Sequence, residues 1–517
     1  MDHTRISDMS QDLDLASAWT LEDLAAVAEL QVRIVFPAVV RERVAQARHH
    51  VRELTQEGAQ PIYGINTGFG ALAETVIPPE ALKELQRNLL RSHACGVGPE
   101  LPIPVVRVML ALRAQTLALG YSGVRPELID LLIAMYHHDV LPRIPMQGSV
   151  GASGDLAPLA HLGLALIGEG EVWDKDHWRP SAEALQRVGL VPLELEPKEG
   201  LALINGTQFM LAIGALAVHE AESLCQHADV IGAMSLEAQK GSYRPFDERI
   251  QQVRPHPGQA ITAANLRLLL TDSAIMESHR DCDKVQDPYS LRCMPQVHGA
   301  TRDVLRWTRD VLEREIGSAT DNPLVFVSAD GVPEVISGGN FHGQPLALAM
   351  DAACMAVAEL ANISERRVEQ LVNPALSTGL PAFLAPRVGL DSGYMLAQVT
   401  AASLVSENKI LCHPASTDSI PSSAGREDHV SMGSISARKL ATVVSHVRTV
   451  LAIEALVAAQ GIDLRAPIKP GHGVARAHAR LRMHVKTLVQ DRPLYTDIHT
   501  AIDVLKRGEL VDAAFRE

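Results

Sequence analysis

Ala152-Ser153-Gly154, inside Gly148-Ser-Val-Gly-Ala-Ser-Gly-Asp155, is a tripeptide whose backbone can close on itself. The amide nitrogen of Gly154 can attack the carbonyl carbon of Ala152, and loss of two waters, one of them carrying the Ser153 oxygen, leaves a methylidene-imidazolone ring. Side chains provide acids, bases and nucleophiles but no strong electrophile, so such a ring is an electron sink made from the protein alone. Two other readings fail on spacing. A nucleophile elbow needs glycine where Asp155 stands, and a dinucleotide loop needs G-x-G-x-x-G, whereas Gly148, Gly151 and Gly154 recur every third residue. The remaining alternative is a glycine-rich loop capped by Ser153 or Asp155 ahead of the apolar run Leu156–Leu166.

Two further residues have suitable chemistry. Tyr63 opens Tyr-Gly-Ile-Asn-Thr-Gly-Phe-Gly70, where Gly64, Gly68 and Gly70 describe a tight, closely approachable loop. A phenol titrates near pH ~10, so Tyr63 can serve as a base only if donors or positive charge activate it; the alternative is a core tyrosine beside a turn. Arg292 follows Gln286 and Tyr289 in Gln286-Asp-Pro-Tyr-Ser-Leu-Arg-Cys293. Its guanidinium fork matches a carboxylate bidentately, although an isolated arginine is usually a solvated surface charge. His49-His50 and His137-His138 are adjacent pairs without i, i+4 ligand spacing, so no metal is expected.

These segments, with Asn205-Gly-Thr207, Asp321-Asn-Pro323, Gly338-Gly-Asn-Phe-His342 and Ser406-Glu-Asn408, resemble in kind and order the blocks of the aromatic amino acid ammonia-lyases. The resemblance spans nearly the whole chain, and Arg91-Ser-His93-Ala and Arg426-Glu-Asp-His-Val-Ser-Met432 look like its histidine ammonia-lyase branch. It implies elimination of ammonia from L-histidine to give urocanate, with the Ala152-Ser153-Gly154 ring as the only cofactor. It further implies that Tyr63 is the β-proton base, supplied by a neighbouring subunit, and that Tyr289 is a proton relay. Arg292, with Gln286, would hold the substrate carboxylate; Asn205 and Phe341 would lie beside the electrophile and the amine.

Glu427 stands where histidine-specific members carry a carboxylate, and His93 would lie near the substrate ring. A carboxylate can accept from an imidazole N–H, whereas burying it against a benzene ring costs on the order of several kcal/mol. Gly425-Arg426 and Gln344 depart from the branch's pattern of Asn-Gln and glutamate. Glu427 therefore either faces the ring or is neutralised by Arg426. A tyrosine or phenylalanine ammonia-lyase and a 2,3-aminomutase would use the same machinery, and a non-catalytic scaffold descendant is the alternative from another class.

The elements that must position these residues read as helices. Residues 209–240 run without proline, about 48 Å if helical, and residues 346–372 and 434–460 repeat the pattern. The first 200 residues are shorter segments broken by Pro102, Pro104, Pro126, Pro142, Pro145 and Pro158. The expectation is an electrophile-bearing amino-terminal region over 1–205 and an elongated helical bundle over 206–517. The resemblance implies a mainly α fold of the fumarase/aspartase-like kind, assembled as a homotetramer with shared active sites.

With 47% hydrophobic residues the chain can bury a large core, and a net charge of −14 argues against nucleic-acid or anionic-membrane partners. Residues 201–218 carry no charge, but Asn205–Gln208 interrupt them and no second span accompanies them, so a polar loop before a buried helix is expected. Residues 1–15 lack the apolar core of a secretory signal and read as a loose tail. The six cysteines are scattered without a C-x-x-C pair, which suits free thiols in the cytoplasm.

Overall fold

The computed structural model describes residues 11–55, 61–175, 177–282, 284–327 and 332–515. It is mainly α. The long proline-free stretches lie in helices over Gln208–Ala238, Gln344–Val372, where Pro345 sits in the first turn, and Gly433–Asp463, with a further long helix at Met294–Ile316. Among the described residues the strands are short, in three two-stranded pairs and one three-stranded sheet.

The prolines near the amino terminus begin helices more often than they break them. Pro102 caps and Pro104 enters the first turn of Ile103–Ala118, Pro126 is the first residue of Pro126–His137, and Pro158 lies in the first turn of Leu156–Leu166. A first-turn N–H has no intrahelical acceptor, so proline loses no bond there. The expected tail is only partly within the described residues: residues 1–10 lie outside them, and Gln11–Asp14 form a strand paired in parallel with Val32–Val35.

Residues 201–218 divide between two buried helices, Glu199–Ile204 and the start of Gln208–Ala238. Gln344–Val372 and Gly433–Asp463 are long and apolar enough to cross a membrane, a property the sequence reading did not assign to them. Two thirds of each apolar window is buried within the protein, as in a core helix.

The chain forms two compact units. The first comprises Met1–Leu216, Arg309–Met350 and Ala415–Arg438; the second comprises Ala217–Thr308, Asp351–Pro414 and Lys439–Glu517. In the first, Ile103–Ala118 is buried on almost every side, and fully buried Arg113 donates to the Asn205 carbonyl and to Gln208 Oε1 at 3.2 and 2.6 Å. That guanidinium satisfies carbonyls left free where Glu199–Ile204 ends, which fixes the Asn205–Thr207 link. In the second, fully buried Arg367 and Glu454 pair with Nη2–Oε2 at 2.8 Å.

Candidate active site

The tripeptide sits in a loop bonded from both ends. Ser434 Oγ donates to the Ser149 carbonyl at 2.6 Å, the Met432 N–H to the Val150 carbonyl at 2.9 Å, and Ser431 Oγ to the Gly151 carbonyl at 3.0 Å. Asn205 Nδ2 donates to the Ser153 carbonyl at 2.9 Å, and the Asp155 N–H donates to the Gly206 carbonyl at 2.7 Å. Gly154 has φ +73°, and a Cβ there would lie 2.2 Å from the Gly206 oxygen. Only glycine fits this approach, so the backbone bends tightly at the residue whose nitrogen would attack Ala152 in a ring closure. Ala152 and Gly154 are buried while Ser153 reaches a cavity, an arrangement that suits ring closure and leaves the product accessible from one side.

Asp155 does not cap the helix it precedes. Its buried carboxylate accepts from the Met210 N–H at 2.9 Å, at the amino-terminal end of Gln208–Ala238, and from Ser149 Oγ at 3.1 Å. A carboxylate is favoured there by the helix dipole and the free N–H groups. Burial outweighs these bonds and pushes the carboxyl up to about 7.

The cavity has a volume of about 800 Å³, and Tyr63, His93, Ser153, Asn205, Phe341 and Glu427 all line it. Tyr63 shares it with Ser153 of its own chain, where the resemblance placed this tyrosine on a neighbouring subunit. Burial pushes the Tyr63 phenol up, opposed by a hydrogen bond with the Gly70 backbone and reinforced by the Glu427 charge. His93 ends the helix Leu82–His93, its Nδ1 lies 3.0 Å from Ser92 Oγ, and burial pushes its imidazole down.

Glu427 is held at both oxygens. Ser153 Oγ donates to Oε1 and Ser422 Oγ to Oε2, each at 2.6 Å. The Arg426 guanidinium instead lies 3.8 Å from Glu74, and both side chains are mostly exposed. Glu427 therefore lines the cavity, and Arg426 is directed to Glu74. Gln344 starts its helix and is not among the lining residues.

Gln286, Tyr289 and Arg292 belong to the second unit, and none of them lines this cavity. Gln286 borders a separate cavity of about 610 Å³, and the Arg292 guanidinium stacks 4.6 Å from the centre of the exposed Tyr289 ring. Among the described residues lining the Ser153 cavity there is no lysine or arginine.

Sequence reasoning missed Ser422, Ser431, Ser434 and the partner of Asp155. Serines are common in loops, and no spacing tells which group a hydroxyl will meet, whether five positions away, as for Ser422 and Glu427, or hundreds, as for Ser431 and Ser434. The clustering of hydroxyls around Asp428-His-Val-Ser-Met432 is the faint signal that was available.

The aromatic amino acid lyase family profile matches residues 19–483. This chain belongs to that family. The lyase is 64% identical to a histidine ammonia-lyase of Sorangium cellulosum over 498 residues, covering 96% of this chain and 97% of that protein. It is 53% identical to a histidine ammonia-lyase of Deinococcus radiodurans over 96% of this chain and 93% of that protein. The crystal structure of histidine ammonia-lyase from Trypanosoma cruzi superposes with a TM-score of 0.90 at 43% identity, covering 98% of this lyase and 95% of that chain. A tyrosine aminomutase from Streptomyces globisporus superposes with a TM-score of 0.92 at 38% identity, covering 98% and 99%.

Proposed function

We propose that this lyase eliminates ammonia from L-histidine to give urocanate, with an electrophile made from its own Ala152, Ser153 and Gly154. The observation that carries the substrate assignment is Glu427, whose Oε1 lies against Ser153 while Arg426 is turned to Glu74. Curated relatives named for histidine, at 53% and 64% identity, support it. When formed, the ring supplies the electron sink that lets a poor amine leaving group depart.

The chain's own groups do the rest. Asn205 holds the carbonyl of residue 153, and Phe341 closes the apolar side of the cavity near the amine. Glu427 accepts from the imidazole N–H, and His93, held neutral by burial, lies beside the same ring. Tyr63 takes the β-proton, which requires positive charge at the cavity to offset burial and Glu427.

No cation lines the cavity among the described residues, yet a substrate carboxylate needs one. The working enzyme is a homotetramer in which Arg292, with Gln286 and Tyr289, reaches the cavity of another copy. Arg292 binds the carboxylate there, and its charge assists Tyr63. The enzyme works in the cytosol, and the free state of all six cysteines supports this.

Steady-state kinetics on L-histidine, L-tyrosine and L-phenylalanine with product identification test the reading. The expected result is urocanate and ammonia from histidine at the highest kcat/KM. Preferred release of coumarate or cinnamate, or a β-amino acid product, would assign the chain to the tyrosine, phenylalanine or aminomutase reactions instead.

A further inference from the structure

Glu427 can select a substrate ring only if its carboxylate is held in one orientation, and Ser422, which holds Oε2, opens an unusual turn. Ser423, Ala424 and Gly425 have φ of +49°, +53° and +84° in succession, and two of these three are not glycine. Left-handed backbone is unfavourable for serine and alanine, so it persists only where surrounding contacts impose it, and such positions cluster at functional sites. This turn brings Ser422 and Glu427 face to face. The Ser422 N–H donates to the Glu427 carbonyl at 2.8 Å, the Glu427 N–H donates to the Ser422 carbonyl at 3.2 Å, and Ser422 Oγ donates to Glu427 Oε2 at 2.6 Å.

The second hydrogen bond to the carboxylate is transient on the proposed reading. Ser153 Oγ, which donates to Oε1, leaves as water when the ring forms. Oε1 then faces the cavity with an open acceptor site while Oε2 remains tied to Ser422. Ser423 and Ala424 themselves line the cavity, and the Ser423 hydroxyl occupies the space that a Cβ on Gly70 would need, so the turn rests against the Tyr63 loop.

We infer that Ser422 is a positioning residue for Glu427, and through it a determinant of imidazole over carbocyclic substrates. This role rests on the histidine reading. Ser422 does not touch the substrate; it fixes the carboxylate plane so that Oε1 points at the ring N–H. A threonine keeps the hydroxyl and the role, whereas alanine frees the carboxylate to rotate or take up water.

A double-mutant cycle in the full-length enzyme tests this, using Ser422→Ala, Glu427→Gln and the pair, with kcat/KM for histidine and phenylalanine as the readout. Ser422→Ala is expected to lose two waters at the tripeptide as wild type does, and to lower kcat/KM for histidine about ten- to a hundredfold, the usual size for a hydrogen bond to a charged group. It should narrow the histidine-to-phenylalanine ratio, and Ser422→Thr should restore both to within a few fold. In the Glu427→Gln background Ser422→Ala should add almost nothing, because the two residues act as one unit. If Ser422→Ala fails to fold, Ser422→Cys, with its weaker donor, carries the same cycle.

Full additivity of the two substitutions, or an unchanged substrate ratio in Ser422→Ala, would overturn the positioning role while leaving the lyase reading intact. A wild-type enzyme that does not turn over histidine would overturn the substrate reading, and this role with it.

Discussion

Ser153 and Glu427, 274 positions apart in sequence, share a hydrogen bond of 2.6 Å between Oγ and Oε1. On the proposed function it joins the residue that would supply the methylidene carbon to the residue that would read the substrate ring, and it would be lost when the Ser153 oxygen leaves. The carboxylate would thus be held close to the proposed electrophile while that group is made, and be free for the substrate afterwards.

Ser153→Ala removes the oxygen whose departure would create the exocyclic double bond of the proposed ring. The variant should fold, because Asn205 and the serines of residues 431–434 grip the loop through backbone carbonyls and the Ser153 hydroxyl is not among those bonds. Peptide mass spectrometry should find wild type lighter than its encoded mass by two waters, and the variant should fall to background turnover. An unmodified tripeptide in fully active wild-type enzyme would refute the electrophile.

Glu427→Gln replaces a charged acceptor with a neutral one. Loss of a charge-assisted hydrogen bond costs about 1.5–3 kcal/mol, so kcat/KM for histidine should fall roughly ten- to a hundredfold. Discrimination against phenylalanine should narrow, since no carboxylate is then buried against a carbocyclic ring. An unchanged ratio of the two substrates would remove Glu427 from the ring site.

Tyr63→Phe deletes the phenol and keeps the ring. A positioned general base contributes about 10²- to 10⁴-fold, and kcat should fall by that order with little change in thermal stability. Turnover near the wild-type rate would assign the β-proton to another group.

Asp155 gives stability a defined pH dependence. Its folded-state carboxyl is pushed up to about 7 by burial, against an ordinary value near ~4, so between these values the folded state holds more protons than the unfolded one. Stability from this group therefore falls as pH rises through that window and is flat above it. Chemical denaturation of wild type and Asp155→Asn across pH 4 to 8 should give a stability difference that declines with pH. A constant difference would exclude this titration.

The sequence by itself determined the chemistry that is local along the chain. The proposed ring closure in Ala152-Ser153-Gly154 would depend on three consecutive residues, and the long helices follow from proline-free stretches with enough apolar residues to bury them. The blocks around Tyr63, His93, Asn205, Phe341 and Glu427 were likewise readable, because each is a short stretch of specific residue types. What only the tertiary structure decided is where side chains point. Arg426 and Glu427 are neighbours, yet one reaches Glu74 and the other Ser153, because a turn with left-handed residues at 423–425 rotates the chain between Ser422 and Glu427. Asp155 precedes one helix and serves the first turn of another, since the Asn205–Thr207 link brings Met210 to it. Tyr63 and Ser153 line one cavity within one chain, while Gln286, Tyr289 and Arg292 fall in the other compact unit. These outcomes come from long-range packing and buried hydrogen bonds, whose partners leave no periodic trace in the residues that form them.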